Sequence, residues 1–353
     1  MNRFAVVSGF LGSGKTSLMM ALTQYYSGRY GKAAMISNDL GEGVTLADHK
    51  LAQLEGCRAA QITDECICFC RDVLTERLRA FYAEGCELVV SDIPGFGVGA
   101  QEHVYHGLAE NCPGQFSLAP FVVLIEPRNL TLLRDGKAGD MGFILDAQLK
   151  EADLIVLSKC DLLSEKERGA GLVWLAAHYP RAKLLAVSAK TGEGLDALCR
   201  ALREGHASLR HPDIDYDGDD LQGAMGRVSE YYLQYRALVC CDDFDGSAYL
   251  LDLAEEIRRA VRAAGCEVPH MKLLAWGPEG DYGKADILGV DRPVELPHRF
   301  ARPCTDLAVL LNAGAVCPDE TLNRLIGEAV KTVSDRYQLE LTIFKKDHFG
   351  LGE

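Results

Sequence analysis

The sequence predicts an α/β protein in two parts, a mostly parallel sheet covered by helices and then a smaller α+β domain. Through the first half, short apolar runs alternate with helical patterns, which is the signature of βαβ units. Those runs, at residues 3–8, 32–37, 87–91, 119–125, 154–157 and 183–187, are almost continuously apolar, as strands buried on both faces are. Later the order of elements changes to a strand at 232–240, an amphipathic helix at 247–264, strands at 270–276 and 306–312, a helix at 319–337 and a strand at 339–344. That β-α-β-β-α-β order predicts a ferredoxin-like domain over 227–353. Between it and a first domain over 1–204, residues 205–226 read as a solvated acidic linker, with Asp213, Asp215, Asp217 and Asp219 at alternate positions.

Bulk composition narrows the partners. A chain of 353 residues with 48% hydrophobic and 25% charged residues buries an ordinary core without staples. Its formal charge of −14, from 37 Lys and Arg against 51 Asp and Glu, argues against a nucleic-acid backbone or an anionic membrane surface as partner. The first eight residues hold only a short apolar run before glycines, neither a signal peptide nor a membrane span, so a cytoplasmic protein is expected. In a reducing compartment thirteen cysteines, an odd number at irregular spacing, read as core thiols plus a metal site and not as disulfides.

Gly9-Phe10-Leu11-Gly12-Ser13-Gly14-Lys15-Thr16 fits G-x-x-x-x-G-K-[ST], after the first predicted strand and before a helix beginning near Lys15. In such a P-loop, Gly9, Gly12, Ser13 and Gly14 turn backbone N–H groups onto phosphates, and Ser17 continues the cradle into the helix. Lys15 reaches the β and γ oxygens, and the Thr16 hydroxyl ligates Mg²⁺. Upstream of the middle of the chain, the run at 87–91 leads into Asp92-Ile93-Pro94-Gly95, a D-x-x-G segment. Asp92 is placed to hold Mg²⁺ through water and the Gly95 N–H to sense a γ-phosphate, which makes residues 93–99 a switch. No glutamine follows Gly95, so intrinsic hydrolysis is expected to be slow and completed by a partner or by homodimerisation.

The base is read further on. Ser158-Lys159-Cys160-Asp161 ends an apolar strand as S-K-x-D, a variant of the guanine box N-K-x-D. Asp161 offers a carboxylate to guanine N1–H and N2–H, and the Lys159 stem lies along base and sugar. Ser158 in place of Asn predicts a missing or shortened tether to the phosphate loop. Ser188-Ala189-Lys190 follows the next strand, where a backbone N–H contacts guanine O6. The set predicts GTP with Mg²⁺, not ATP; a P-loop kinase would give these two loops no role.

Cys66, Cys68 and Cys70 stand at alternate positions in Asp64-Glu65-Cys66-Ile67-Cys68-Phe69-Cys70-Arg71. Soft thiolates at this density select a soft transition metal, Zn²⁺ or Co²⁺ above all, with a fourth position for a nearby side chain or partner. The competing structural reading is three core thiols at the head of a helix. His103 and His106, at i and i+3, complete such a site if residues 101–108 are helical; surface histidines are the favoured reading.

Together the phosphate loop, the cysteine cluster and Gln148-Leu149-Lys150-Glu151-Ala152-Asp153 leading into S-K-x-D resemble the CobW-type members of the CobW/HypB/UreG metallochaperone GTPases. The resemblance covers residues 1–202. Asn38-Asp39-Leu40-Gly41 is similar to that family's N-E-F-G switch, and Cys66-Ile67-Cys68 to the start of its C-x-C-C motif. It implies a GTPase that couples hydrolysis to delivery of a metal or metallocofactor to a client metalloenzyme, a corrinoid or other cobalt protein among the candidates. Three departures stand out: the third cysteine is displaced to Cys70, D-I-P-G replaces E-T-[ST]-G, and the second domain lacks His-rich tracts. The alternative is a regulatory GTPase switch whose cysteines are structural.

Overall fold

The computed structural model describes residues 2–239 and 244–351. Its residues fall into two compact units, one of residues 1–40 and 55–224, the other of residues 41–54 and 225–353.

The first unit is built on a sheet of eight parallel strands: β1 (Arg3–Gly9), β2 (Ala33–Asn38), β3 (Ala59–Ile62), β4 (Leu88–Asp92), β5 (Ser117–Leu118), β6 (Val122–Ile125), β7 (Leu154–Leu157) and β8 (Lys183–Ala186). Their order is β3-β2-β4-β1-β6-β7-β8, with β5 beside β1. The apolar runs of β1, β2, β4, β6 and β7 are buried along their whole length, as helices on both faces require. Chain order reverses at β1, between β4 and β6, and ligands of open α/β sheets bind at the carboxyl ends of strands at such a switch point. The edge strand β3 escapes the sequence pattern because its four residues, Ala59 to Ile62, are too few to show a period and are mostly half-buried. Residues 205–224, read from sequence as linker, cluster with this first unit, and Asp219–Met225 forms a short helix.

In the second unit six antiparallel strands, β9 (Val228–Val239), β10 (Glu267–Trp276), β11 (Tyr282–Ile287), β12 (Glu295–His298), β13 (Asp306–Val316) and β14 (Leu339–Gly350), run in the order β12-β11-β10-β13-β9-β14. The four strands β14-β9-β13-β10 with helices Gly246–Ala263 and Asp319–Arg336 are the β-α-β-β-α-β arrangement, and β11 and β12 extend it. These two strands are not evident in the sequence: they follow the Gly277-Pro278 turn, and the short charged edge strand β12 carries Pro297. Asp245 caps the first helix by accepting the N–H groups of Ser247 and Ala248 at 2.9 and 3.0 Å.

Alternation sends Tyr231, Leu233, Tyr235 and Ala237 of β9 into the core under the two helices. The other face carries Tyr232, which packs with Val44 and Leu46. Residues 41–54 are therefore built into the second unit, although they connect β2 to β3. Ala47 N–H donates to Asn312 Oδ1 at 3.2 Å, Lys272 pairs with Asp48, and Lys50 Nζ lies 4.7 Å over the Trp276 ring.

One stability element lies off the regular ladder. On the side of β1 away from β4, pairing breaks between the β5 and β6 contacts, and the buried Val6 N–H is met by the Tyr105 hydroxyl at 2.8 Å. Tyr105→Phe keeps the ring against Phe121 but leaves that amide unpaired. It should lower stability in urea by about 1–3 kcal/mol, the penalty of a buried unsatisfied donor; an unchanged midpoint would mean that the amide finds another partner.

Candidate functional site

The phosphate loop leaves β1 with Gly9, Gly12 and Gly14 at φ of 137°, 75° and 93°, all in the region where a side chain is disfavoured. Gly9 has no room for one either, since a Cβ would stand 2.5 Å from the Leu124 carbonyl. Gly14 starts the helix Lys15–Arg29, so the N–H groups of its first turn face the loop. Thr16 is buried in that turn, and Lys15 Nζ donates to the Gly9 carbonyl at 2.6 Å across the loop. The Ser13 hydroxyl is buried with no protein partner. Positive φ glycines, a helix N-terminus, a lysine and an orphaned hydroxyl around one turn fit a polyphosphate.

Asp92 ends β4 in register with Val7 of β1, which brings its buried carboxylate beside the loop. Beyond it Gly95 abuts the loop so closely that a Cβ would stand 2.2 Å from the Leu11 side chain. Where a water-positioning glutamine is absent, Phe96 is buried edge-on against Phe10, ring centroids 5.2 Å apart. The segment after Gly95 is thus packed onto the phosphate loop by apolar contact.

On the base side, Ser158 corrects the sequence reading. Its hydroxyl donates to the Ser13 carbonyl at 2.7 Å, so the tether from the S-K-x-D box to the phosphate loop is present with serine. Lys159 adopts φ of 51°, and its stem runs past Gly14, with Cε 3.8 Å from where a Cβ there would lie; Nζ stands 3.5 Å from Glu126. Asp161 is exposed. Ser188 is buried in a tight turn, accepting Thr191 N–H on its hydroxyl at 3.1 Å, and Ala189 and Lys190 are progressively more open.

The cysteine loop is hung on one residue. Asn38, the last of β2, donates its side-chain amide to the Glu65 and Ile62 carbonyls at 2.8 and 3.2 Å, and its Oδ1 accepts Ile67 N–H at 2.9 Å. Its own backbone N–H donates to Asp92 Oδ1 at 2.7 Å. Cys66 and Cys68 are buried, and Cys68 N–H donates to Cys66 Sγ at 3.4 Å. Hydrogen bonding by Cys68 holds the Cys66 thiol below its usual range, while the same contact and burial push Cys68 up. Burial pushes the Cys70 thiol up to about 11. Cys70 turns toward the Cys66 carbonyl at 3.4 Å, so the loop brings Cys66 and Cys68 together and leaves Cys70 beside them. As a set the three sulfurs do not lie within 4.8 Å of one another. Cys240 and Cys241, adjacent thiols that the sequence offers as a minor candidate for a second soft-metal site, lie outside the described residues.

Residues 3–184 match the nucleotide-binding domain of the CobW/HypB/UreG family. The chain belongs to this family. Over 175 residues this CobW-type chain is 25% identical to zinc-regulated GTPase metalloprotein activator 1 of Schizosaccharomyces pombe, a match covering 46% of this chain and 39% of that protein. It therefore spans about two fifths of the length of that relative. Similar solved structures include the hydrogenase maturation factor HypB of Archaeoglobus fulgidus, 21% identical with a TM-score of 0.38 over 57% of this chain and 89% of that one. Another is the Zn(II)-bound YjiA GTPase of E. coli, 14% identical with a TM-score of 0.35 over 93% of this chain and 98% of that one.

Two residues of the CobW-type box bond to the segment read from sequence as the switch, contacts that the sequence did not reveal. Both project from the helix Met141–Glu151. Gln148 donates to the Gly95 and Gly97 carbonyls at 3.1 and 3.0 Å. One turn on, Glu151 accepts Gly99 N–H at 2.6 Å and the Tyr216 hydroxyl at 2.7 Å. A spacing of three residues puts them on one helix face, where they hold both ends of the segment 95–99. Their polar side chains in a buried helix were the available signal.

Burial raises the Glu151 carboxyl to about 7 against those hydrogen bonds. Between about pH 4.5 and 7 the folded chain keeps a proton that the unfolded chain has released, so stability falls as pH rises through that window. Glu151→Gln removes the titration. Relative to the parent, its unfolding free energy in urea should improve by about 1–3 kcal/mol from pH 5 to pH 8; a difference independent of pH would show that the carboxyl does not titrate there.

Proposed function

We propose that this protein is a GTP-binding, slowly GTP-hydrolysing metallochaperone that passes a transition metal or metallocofactor to a client protein. The observation carrying the proposal is the double attachment of Asn38, by its amide N–H to Asp92 and by its side chain to both flanks of Cys66. A change at the Mg²⁺ side and a change at the thiols meet in one residue. Bound Mg²⁺-GTP supplies the reactive γ-phosphate and its charge neutralisation. The rest is positional: Gly9 to Ser17 cradle phosphates, Lys15 neutralises their charge, Thr16 and Asp92 flank the Mg²⁺ position, and the Gly95 N–H faces the γ-phosphate. Asp161 reads guanine with Lys159 along its base, Ser158 ties that loop to the cradle, and Ser188, Ala189 and Lys190 close it. Cys66, Cys68 and Cys70 carry the metal, with Cys66 poised to deprotonate first and Cys70 swinging in. The regulatory activity named for the Schizosaccharomyces pombe relative, a zinc-regulated GTPase, supports the same pairing of nucleotide and metal.

A second reading, a regulatory GTPase with structural cysteines, is favoured by the burial of Cys66 and Cys68 in the first unit's core. One titration separates the two. Zn²⁺ and Co²⁺ are added to the reduced, anaerobic protein without nucleotide, with GDP, and with a non-hydrolysable GTP analogue. The chaperone reading predicts thiolate-to-Co²⁺ charge transfer that Cys66→Ala/Cys68→Ala/Cys70→Ala lacks, and a metal affinity that differs between GDP and GTP states by about 5- to 150-fold. Equal affinity in all states, or metal binding undiminished in the triple variant, supports the regulatory reading instead.

A further inference from the structure

Among the described residues, Glu102, His106 and His211 are the group whose three ligand atoms lie within 4.8 Å of one another. Glu102 and His106 stand four apart on Gln101–His106, a stretch of π-helix directly after the switch segment. Single π turns occur often at functional sites, because the wider turn re-aims side chains that an α-helix would spread. His211 comes from the segment between the helices Leu195–Glu204 and Asp219–Met225. Its Nδ1 is 2.8 Å from Glu102 Oε2, and its ring is stacked on His106, centroids 4.4 Å apart and 18° from parallel.

Neighbouring contacts hold the backbone of this arrangement in place, and to share a cation the two rings turn out of their stack, because the ion lies in the plane of each imidazole that binds it. Arg210 donates to the Lys150 and Ala152 carbonyls at 2.7 Å each, and the Ser208 hydroxyl donates to Asp153 at 2.5 Å. These bonds fix the backbone on one side of His211, and Pro212 restricts it on the other. The His106 ring is half-buried, with Nε2 3.4 Å from the Arg210 carbonyl, whereas His211 is open to solvent. Residues 101–111 are helical, as the conditional sequence option for His103 and His106 required, but the two histidines do not turn to the cysteine cluster together. His103 faces Phe69 of the cysteine loop, ring centroids 5.7 Å apart, while His106 faces away to His211.

We propose that Glu102, His106 and His211 form a second site for a first-row divalent cation, with two nitrogens and one oxygen as donors and no thiolate. Three protein ligands at an exposed edge leave a coordination position for water or an incoming ligand. Imidazole and carboxylate suit Zn²⁺, Ni²⁺ or Co²⁺, and bind them in a geometry distinct from that of thiolates. A bound cation straps the helix that follows the switch to the segment 208–212. Because His103 lies on the same π-helix against Phe69, this site and the cysteine loop sit on neighbouring surfaces of one helix.

The test uses the full chain, without a histidine tag, carrying Cys66→Ser/Cys68→Ser/Cys70→Ser. Titration with Co²⁺ and Zn²⁺ against a chromophoric chelator should show one equivalent still bound, with Co²⁺ ligand-field bands but no thiolate charge transfer. Adding His106→Ala or His211→Ala should weaken that binding at least tenfold, and His178→Ala, at a surface histidine stacked on Trp174, should leave it unchanged. If the triple serine variant binds no cation, or binds it equally well without His106 and His211, the site does not exist. Should the triple serine variant fail to fold, the parent is compared with its His106→Ala variant. One fewer equivalent bound supports the site, and unchanged stoichiometry overturns it.

Discussion

Asn38 satisfies four groups in three directions, and the functional geometry of the first unit depends on it. Its position at the end of β2 is dictated by the parallel sheet, which aligns the ends of β2 and β4 next to the phosphate loop. From there its backbone meets Asp92, and its side chain supplies donors and an acceptor to a loop that has no secondary structure of its own. A buried amide with every bond made is worth far more lost than gained, because breaking it strands several polar groups at once. The cysteine loop is consequently held as firmly as the strand that carries Asn38.

The segment after Asp92, proposed as the switch, is gripped in a complementary way. Phe96 and Gly95 press it onto the phosphate loop, while Gln148 and Glu151 hold its carbonyls and amides from behind. The segment is thus held by apolar contact on one side and by hydrogen bonds on the other. Next to Asn38 the chain does something different. Residues 41–54 leave the first unit and are built into the second, where Ala47 bonds Asn312 and Asp48 pairs with Lys272.

Much of this was legible in the sequence because it is local. The phosphate loop, D-x-x-G, S-K-x-D and S-A-K each sit at the end of an apolar strand, and strand ends of a parallel sheet converge whatever the intervening helices do. The resemblance to CobW-type proteins added the cysteine loop and the Asn38 segment to one scheme. What sequence did not reveal is tertiary. Nothing local says that Ser158 reaches Ser13, that Gln148 and Glu151 grip the switch, or that His106 meets His211 across about a hundred residues of chain. The strands β11 and β12 were hidden for another reason: a short hairpin at a sheet edge has too few residues to show a period.

The most direct measurement compares Zn²⁺ affinity in the GDP and GTP-analogue states for the parent and for Asn38→Ala. Removing the side chain deletes two bonds to the cysteine loop and one to the end of β3 but leaves the phosphate loop and the backbone bond to Asp92. If Asn38 is the mechanical link, nucleotide binding survives while the ratio of the two metal affinities collapses toward one. A variant that binds nucleotide normally and keeps the parent's full ratio would contradict the link, and coupling would have to run through other residues.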